Sequence, residues 1–442
     1  VTSVRALAVQ VLTSVDRGRT TLAAEVDRSR RTLTDERDRG LLLELTSGVC
    51  RWRAELDAYL APCVTRPLDE VEPHVLATLR LAVYQLRHLD RIPEHAVVHA
   101  AVEAMRELGS PHATGFVNGT LRTWLRRRDT LTLPARPTAT STRRQQLAYL
   151  SVTMSHPKWL VARWLDRYGF EATERWCQFN NTTPDVTVRA TTPDGDALTL
   201  LQDAGVAAER GTFAPEVARL APGVLGSLDP AVRRQLAVQD EGSIALAHMV
   251  GAAPDERVLD LCAAPGGKTA VLWGDMQGRG QLTACDARPH RIQLLRETLT
   301  DSAVPPLIVM LDATQPLPFG ATFDRVFVDV PCSGLGTLRR DPDAKWTVTL
   351  EALPALAEAQ RAILAQAAAA VRPGGTLIYA TCSSEPDEND AVVDAFLASN
   401  PDFVEAPLAG QLVDASGRLR TLPPRDALDA FFAARLVRRG GA

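Results

Sequence analysis

Apolar side chains follow two different rhythms along this chain. Up to about residue 129 they recur at helical spacing, as in Ala6, Val9, Leu12 and Val15, and again through 41–45, 75–89 and 96–108. Residues 116–128, FVNGTLRTWLRRR, read as an amphipathic helix with a basic end. Short loops containing Gly or Pro separate these runs, so residues 1–130 are predicted to form a compact all-α bundle. The stretch LTLPARPTATST (131–142) is rich in Pro, Thr and Ser and reads as a linker. Residues 143–234 mix helical runs (143–149, 159–168) with short strands (186–189), which predicts a small α+β module.

From about residue 235 to 442 the rhythm changes to short strands alternating with helices. RVLDLCAAPGG is a strand entering a Gly-rich turn, followed by strands in QLTACDA, LIVMLDA, RVFVDVPC and GGTLIYATCS. Helices fit between them at 268–275, 289–300, 354–371 and 387–398. This alternation predicts a doubly wound parallel sheet, with its ligand beyond the carboxyl ends of the strands.

Length agrees with this division: at roughly 150 residues per domain, 442 residues make about three domains. The net charge of −4 argues against indiscriminate polyanion binding. The charge is uneven, however. Residues 1–150 carry 22 basic against 17 acidic side chains, and the remainder 27 against 36. A polyanion would therefore meet the N-terminal part first. Only Lys158, Lys268 and Lys345 are lysines among 49 basic residues, which points to places where a compact ammonium is required. The seven cysteines are widely spaced and include no CxxC, so neither a disulfide framework nor a metal site is expected. The opening stretch has no signal-peptide cleavage pattern, and no apolar run approaches about 18 residues. The expectation is a cytoplasmic protein without a membrane span. No additional apolar stripe or coiled-coil pattern is visible, so a monomer is expected.

The candidate chemistry lies at the strand ends. In Cys262-Ala263-Ala264-Pro265-Gly266-Gly267-Lys268, small residues let backbone approach a ligand, and the next helix presents its N-terminus. The pattern is neither GxGxxG nor a P-loop. Asp286 stands about 20 residues beyond, where a ribose-binding acid is expected. Asp312 and Asp329 end the next two strands, and three such acids in consecutive units favour a nucleoside cofactor over simple helix caps. Cys332 and Cys382 each lie just past a strand end, where a thiolate would face the ligand cleft. Cys50, Cys63 and Cys177 read as small buried apolar groups. Arg291 reads either as a support for the helix beside Asp286 or as part of a solvated face. His95 and His99 lack the Glu of HExxH and read as helix-face residues.

The segments DLCAAPGGKT, DRVFVDVPCSGLGTLRRDPDAKW and GGTLIYATCSSEPDEN resemble motifs of the RNA 5-methylcytosine methyltransferases. More narrowly, the chain resembles the bacterial methyltransferase B family acting on 16S ribosomal RNA. IPEHAVVHAAVEAMRELG and FVNGTLRTWL resemble the antitermination factor NusB, and SHPKWLVARW and VQDEGS fit the family's middle and entry segments. The resemblance implies a NusB-like helical domain, a small middle module and a Rossmann-like class I methyltransferase domain. It implies S-adenosyl-L-methionine as cofactor, bound by residues 262–268, Asp286, Asp312 and Asp329. It further implies Cys382 as nucleophile, Cys332 as the group that assists product release, and Asp329 at ring nitrogen 3. Lys268 would lie near the target base or the cofactor tail. Val330 replaces a common Ala before Pro-Cys, and Ala430 stands where the family usually has Gly.

The implied substrate is a single-stranded or loop cytosine, because a base must be unstacked to meet a cysteine. Arg339, Arg340, Lys345 and Trp346 are candidate cleft contacts to RNA, and Arg126–Arg128 candidate backbone contacts. Two alternatives remain open: the same reaction on transfer RNA, and a non-enzymatic RNA-binding assembly factor that retains the fold.

Overall fold

The computed structural model describes residues 2–192, 195–221, 223–300 and 306–440. The chain forms two compact units, residues 1–183 with 338–350, and residues 184–337 with 351–442.

The first unit is helical. It contains α1 (Val4–Asp16), α2 (Leu22–Arg30), α3 (Glu36–Leu60), α4 (Pro73–His88), α5 (Glu94–Glu107) and α6 (Thr114–Arg127). Ser3 starts α1 by accepting from the Ala6 amide at 3.2 Å, and Ala6, Val9, Leu12 and Val15 then turn one stripe into the core, as predicted. Arg80 of α4 is buried among these helices. Its guanidinium grips Asp57 of α3 at 2.7 and 2.8 Å and Asp16 of α1 at 3.0 Å. A buried cation is tolerated only when matched in this way. Two further helices, α7 (Arg143–Ala148) and α8 (Lys158–Asn180), belong to this unit, with Trp164 stacked on Trp176 at 4.4 Å.

Residues 338–350 also belong to the first unit, although they lie in sequence between two strands of the second. Lys345 donates to the carbonyls of Arg51 (3.2 Å) and Ser155 (3.3 Å) and to Asn181 Oδ1 (2.7 Å). Trp346 Nε1 donates to the Cys50 carbonyl at 2.6 Å, and Asp343 accepts from the Leu22 amide at 3.0 Å.

The second unit contains two sheets. The smaller is antiparallel, with β1 (Val186–Ala190), β2 (Glu209–Arg210), β3 (Ala218–Leu220) and β4 (Leu236–Val238) in the order β2-β3-β1-β4, and α9 (Ala197–Asp203) packed on β1. The larger sheet runs through β5 (Arg257–Leu261), β6 (Gln281–Asp286), β7 (Leu307–Met310), β8 (Phe323–Asp329), β9 (Val371–Thr381), β10 (Phe403–Ala406), β11 (Leu419–Arg420) and β12 (Phe432–Arg438). Its order is β10-β12-β9-β8-β5-β6-β7, with β11 paired to β12. The five predicted strands are β5 to β9, and they are parallel. The antiparallel edge made by β10, β11 and β12 was not anticipated, because their short apolar runs follow the last clear strand–helix alternation. Strand β5 is buried along nearly its whole length, as a strand covered on both faces must be. The chain moves from β5 outward to β7 and then returns to the other side of β5 as β8. This reversal opens the crevice between the carboxyl ends of β5 and β8.

Candidate active site

The turn after β5 forms one wall of this crevice. Cys262 (φ 63°) and Gly266 (φ 108°) both adopt left-handed backbone, and Gly266 stands at the start of the helix Gly267–Asp275. A side chain on Gly266 would press on Leu295 and Thr298, so the turn needs its glycine. The turn borders a cavity of about 140 Å³ lined by Val238, Gln239, Ser243, Asp260, Cys262, Ala263, Ala264, Pro265, Gly267, Lys268, Phe327 and Asp329. The structure thus brings six of the seven turn residues together with Asp329.

In the cavity lining, Lys268 Nζ donates to Asp329 Oδ2 at 2.8 Å, joining the turn after β5 to the end of β8. Burial works against the Lys268 ammonium, but Asp329, Cys382 and Asp260 outweigh it and hold its pKa above the ordinary value.

The two expected cysteines meet. Strands β8 and β9 pair in register to Asp329 and Ala380, and the Val330 amide continues the ladder by donating to the Ala380 carbonyl at 3.1 Å. The following loops place Cys332 Sγ and Cys382 Sγ 3.2 Å apart. Gly336 lets the first loop lie against the second: its amide donates to the Cys382 carbonyl at 2.9 Å, and a Cβ there would strike the Ala430 and Cys382 carbonyls. The hydrogen bond with Cys332, burial and Asp329 hold the Cys382 thiol well above its usual pKa. Lys268 is the cation that opposes them.

The other two acids lie farther along the sheet. Asp286, at the end of β6, is buried and accepts from the Ala264 amide at 3.3 Å and from Arg291 Nε at 3.1 Å. Arg291 therefore does hold the helix beside it. Asp312, just past β7, is exposed and accepts from the Thr314 amide and hydroxyl at 2.9 and 2.7 Å, which keeps its carboxyl below the usual range.

Lys345 and Trp346 do not line a cleft, contrary to the sequence-based expectation. Lys345 is only 1% exposed, and its ammonium is saturated by oxygens of the helical unit. The Trp346 indole is bonded to the Cys50 carbonyl, and Arg53 covers its ring. Arg339 lies over Phe179 and donates to the Thr183 carbonyl. Of the basic run ending α6, Arg127 bonds the Pro62 carbonyl, Arg128 pairs with Glu94 and Arg126 bonds Thr123.

Among the cavity residues that sequence reasoning passed over, Asp260 and Gln239 carry buried polar atoms without partners. Asp260 sits inside β5 and is 1% exposed. Its Oδ2 accepts from Thr269 at 2.6 Å, whereas Oδ1 has no partner. Gln239 Oε1 is held by Arg189 Nε at 2.8 Å, and its buried Nε2 has no partner. A charged residue in the apolar run RVLDL was the available signal for Asp260. For Gln239 there was only its place in VQDEGS.

Residues 247–437 match a family described as 16S rRNA methyltransferase RsmB/F, residues 2–126 match the NusB family, and residues 156–224 match the ferredoxin-like domain of RsmF/B-like methyltransferases. The chain is 35% identical over 421 residues to a Bacillus subtilis (strain 168) protein named "Probable ribosomal RNA small subunit methyltransferase B", covering 91% of each chain. It is 32% identical to the ribosomal RNA small subunit methyltransferase B of Pseudomonas syringae pv. tomato, again covering 91% of each. Among solved structures, PH0851 matches with a TM-score of 0.81 at 22% identity over 98% of both chains. NSun6 from Pyrococcus horikoshii, solved with SFG, matches with a TM-score of 0.56 at 18% identity, covering 64% of this chain and 99% of that one. The fold is therefore a NusB-like helical bundle, a ferredoxin-like module and a Rossmann-like methyltransferase domain. The chain belongs to the RsmB/F family of 16S rRNA methyltransferases.

Proposed function

We propose that this protein methylates carbon 5 of a cytosine in 16S ribosomal RNA, using S-adenosylmethionine and a covalent cysteine–cytosine intermediate. The observation that carries the reading is the pair of thiols 3.2 Å apart beside the Lys268–Asp329 ion pair.

The residues present fit the cofactor. Asp260 Oδ1 and Gln239 Nε2 are a buried acceptor and a buried donor without partners, and both residues line the cavity formed by the Cys262–Lys268 turn. These groups would hold the amino-acid end of S-adenosylmethionine, and Asp286 and Asp312 its ribose and adenine. When bound, the cofactor supplies an electrophilic methyl group.

Carbon 5 of cytosine is a poor nucleophile by itself. Addition of the Cys382 thiolate at carbon 6 makes the ring an enamine, and carbon 5 can then take the methyl group. Asp329 would hold or protonate ring nitrogen 3, making the ring a better electron sink. Cys332 would then remove the carbon-5 proton, after which the Cys382 sulfur leaves. Lys268 supports Cys382 as the nucleophile, because its ammonium lowers the cost of a thiolate on that sulfur. The resting thiol is protonated, so approach of the base and removal of its proton must accompany attack.

Labelled cofactor and unmodified 16S RNA test these roles. Cys332→Ala is expected to accumulate a denaturation-resistant protein–RNA adduct, and Cys382→Ala to form none. The opposite pattern would exchange the two roles. Methyl incorporation absent from every RNA, with cofactor still bound, would favour the assembly-factor reading, and incorporation into transfer RNA alone would change the substrate.

A further inference from the structure

Beneath the two cysteine loops lies a polar cluster with no part in the covalent chemistry above. Its centre is Glu388, which has no solvent exposure. Oε1 accepts from the Ser333 amide at 2.8 Å and from Gln360 Nε2 at 2.9 Å. Oε2 accepts from the Ser333 and Ser383 hydroxyls, each at 2.5 Å. All four donors are neutral, and they come from three separate segments of chain. Ser333 directly follows Cys332, and Ser383 directly follows Cys382.

The two serine hydroxyls stand 3.1 Å from one another as well as against Glu388, and each accepts a backbone amide: Leu335 N on Ser333 Oγ at 3.4 Å, and Glu385 N on Ser383 Oγ at 3.1 Å. Gln360 also donates to the Pro331 carbonyl at 3.0 Å, and Tyr379 OH donates to the Glu388 carbonyl at 2.6 Å. A site bordered by an amide N–H, a side-chain amide and two hydroxyls calls for a group with two acceptor oxygens, which a carboxyl side chain supplies. The two sulfurs, 3.2 Å apart, lie beyond the last paired residues of β8 and β9, in the two loops that Glu388 joins.

We propose that Glu388 is a positioning residue for the thiol pair, drawing the Cys332 and Cys382 loops together through Ser333 and Ser383. The consequence for turnover rests on the cysteine chemistry proposed above, whereas the geometric part does not.

Diamide oxidation of the full chain measures the thiol spacing without RNA, because the disulfide forms only when the two sulfurs meet. Its rate, read by peptide mapping of the Cys332–Cys382 linkage, is expected to fall about tenfold in Glu388→Gln, in which an amide donor faces other donors. With 16S RNA, kcat is expected to fall by a similar factor while KM for RNA and cofactor affinity stay within about twofold of the wild type. Unchanged diamide and methylation rates in folded Glu388→Gln would overturn the proposal. If that variant does not fold, Ser333→Ala and Ser383→Ala each remove one arm. Slower oxidation in both supports the proposal, and wild-type rates in both overturn it. A wild-type protein that forms the disulfide readily but methylates no RNA would sink the functional reading and leave the positioning role standing.

Discussion

Asp260 is a carboxyl group in the middle of an otherwise apolar strand. Burial pushes its pKa up to about 7, against the opposing Thr269 hydrogen bond and with Asp329 adding to the rise. An unfolded aspartate titrates near 3.9, so the folded chain holds an extra proton between about pH 4 and 7. The contribution of this group to stability therefore falls as pH rises through that window, by up to about 1.4 kcal/mol per pH unit, and the loss is complete above it. Asp260→Asn removes the titration. Denaturant midpoints of the cofactor-free proteins at pH 5 and pH 8 are expected to show a smaller drop for the variant than for the wild type, and equal drops would contradict the assignment. The lysines show how far residue identity was legible. Lys268 sits in a motif and in the cavity wall, as its rarity hinted. Lys345 is as rare but serves packing: it satisfies oxygens from α3, from the start of α8's approach and from its end, positions far apart in sequence.

At the scale of elements, the strand–helix alternation was readable because each parallel strand carries an apolar run with an acid or cysteine at its end or within two residues beyond it. Which strands are neighbours was not readable. The thiols meet only because β8 and β9 are adjacent, and the lysine reaches Asp329 only because β5 and β8 are. Another element-level join is equally non-local. His248 ends the helix Glu241–His248, bonds Asp275 at the end of the helix Gly267–Asp275 at 2.9 Å, and bonds Glu216 of the small module at 2.5 Å. Asp275 and then Glu216 push its pKa up to about 10. With an unfolded value near 6.5, its stabilisation is fully present below that pH and is lost as pH rises through about 10. The imidazole is partly solvated, so the effect is screened. His248→Ala is expected to lower Tm by about 2 °C at pH 6, with the gap to wild type closing above about pH 10. A gap independent of pH would mean that packing rather than charge holds the join.

At the scale of the whole molecule, the prediction is that RNA is met first by the basic N-terminal part. The surplus of basic residues lies in residues 1–150, while the remainder is acidic. RNA affinity is expected to fall steeply with salt, and Arg126→Ala to weaken binding alike for all sequences while reducing the slope by about one. An unchanged slope would remove Arg126 from the RNA contact. By itself, the sequence determined the helical and α/β regions, the glycine turn and both cysteines, because apolar period and motif spacing are local properties of the chain. Only the tertiary structure decided that the cysteines form one pair, that Lys345 is interior and that Trp346 is held by the Cys50 carbonyl. It also decided that Asp260 and Gln239 keep unpaired buried atoms and that Glu388 binds both cysteine loops. Each of these depends on which distant segments share a low-dielectric interior, where an unmatched donor or acceptor is costly and a matched one fixes position.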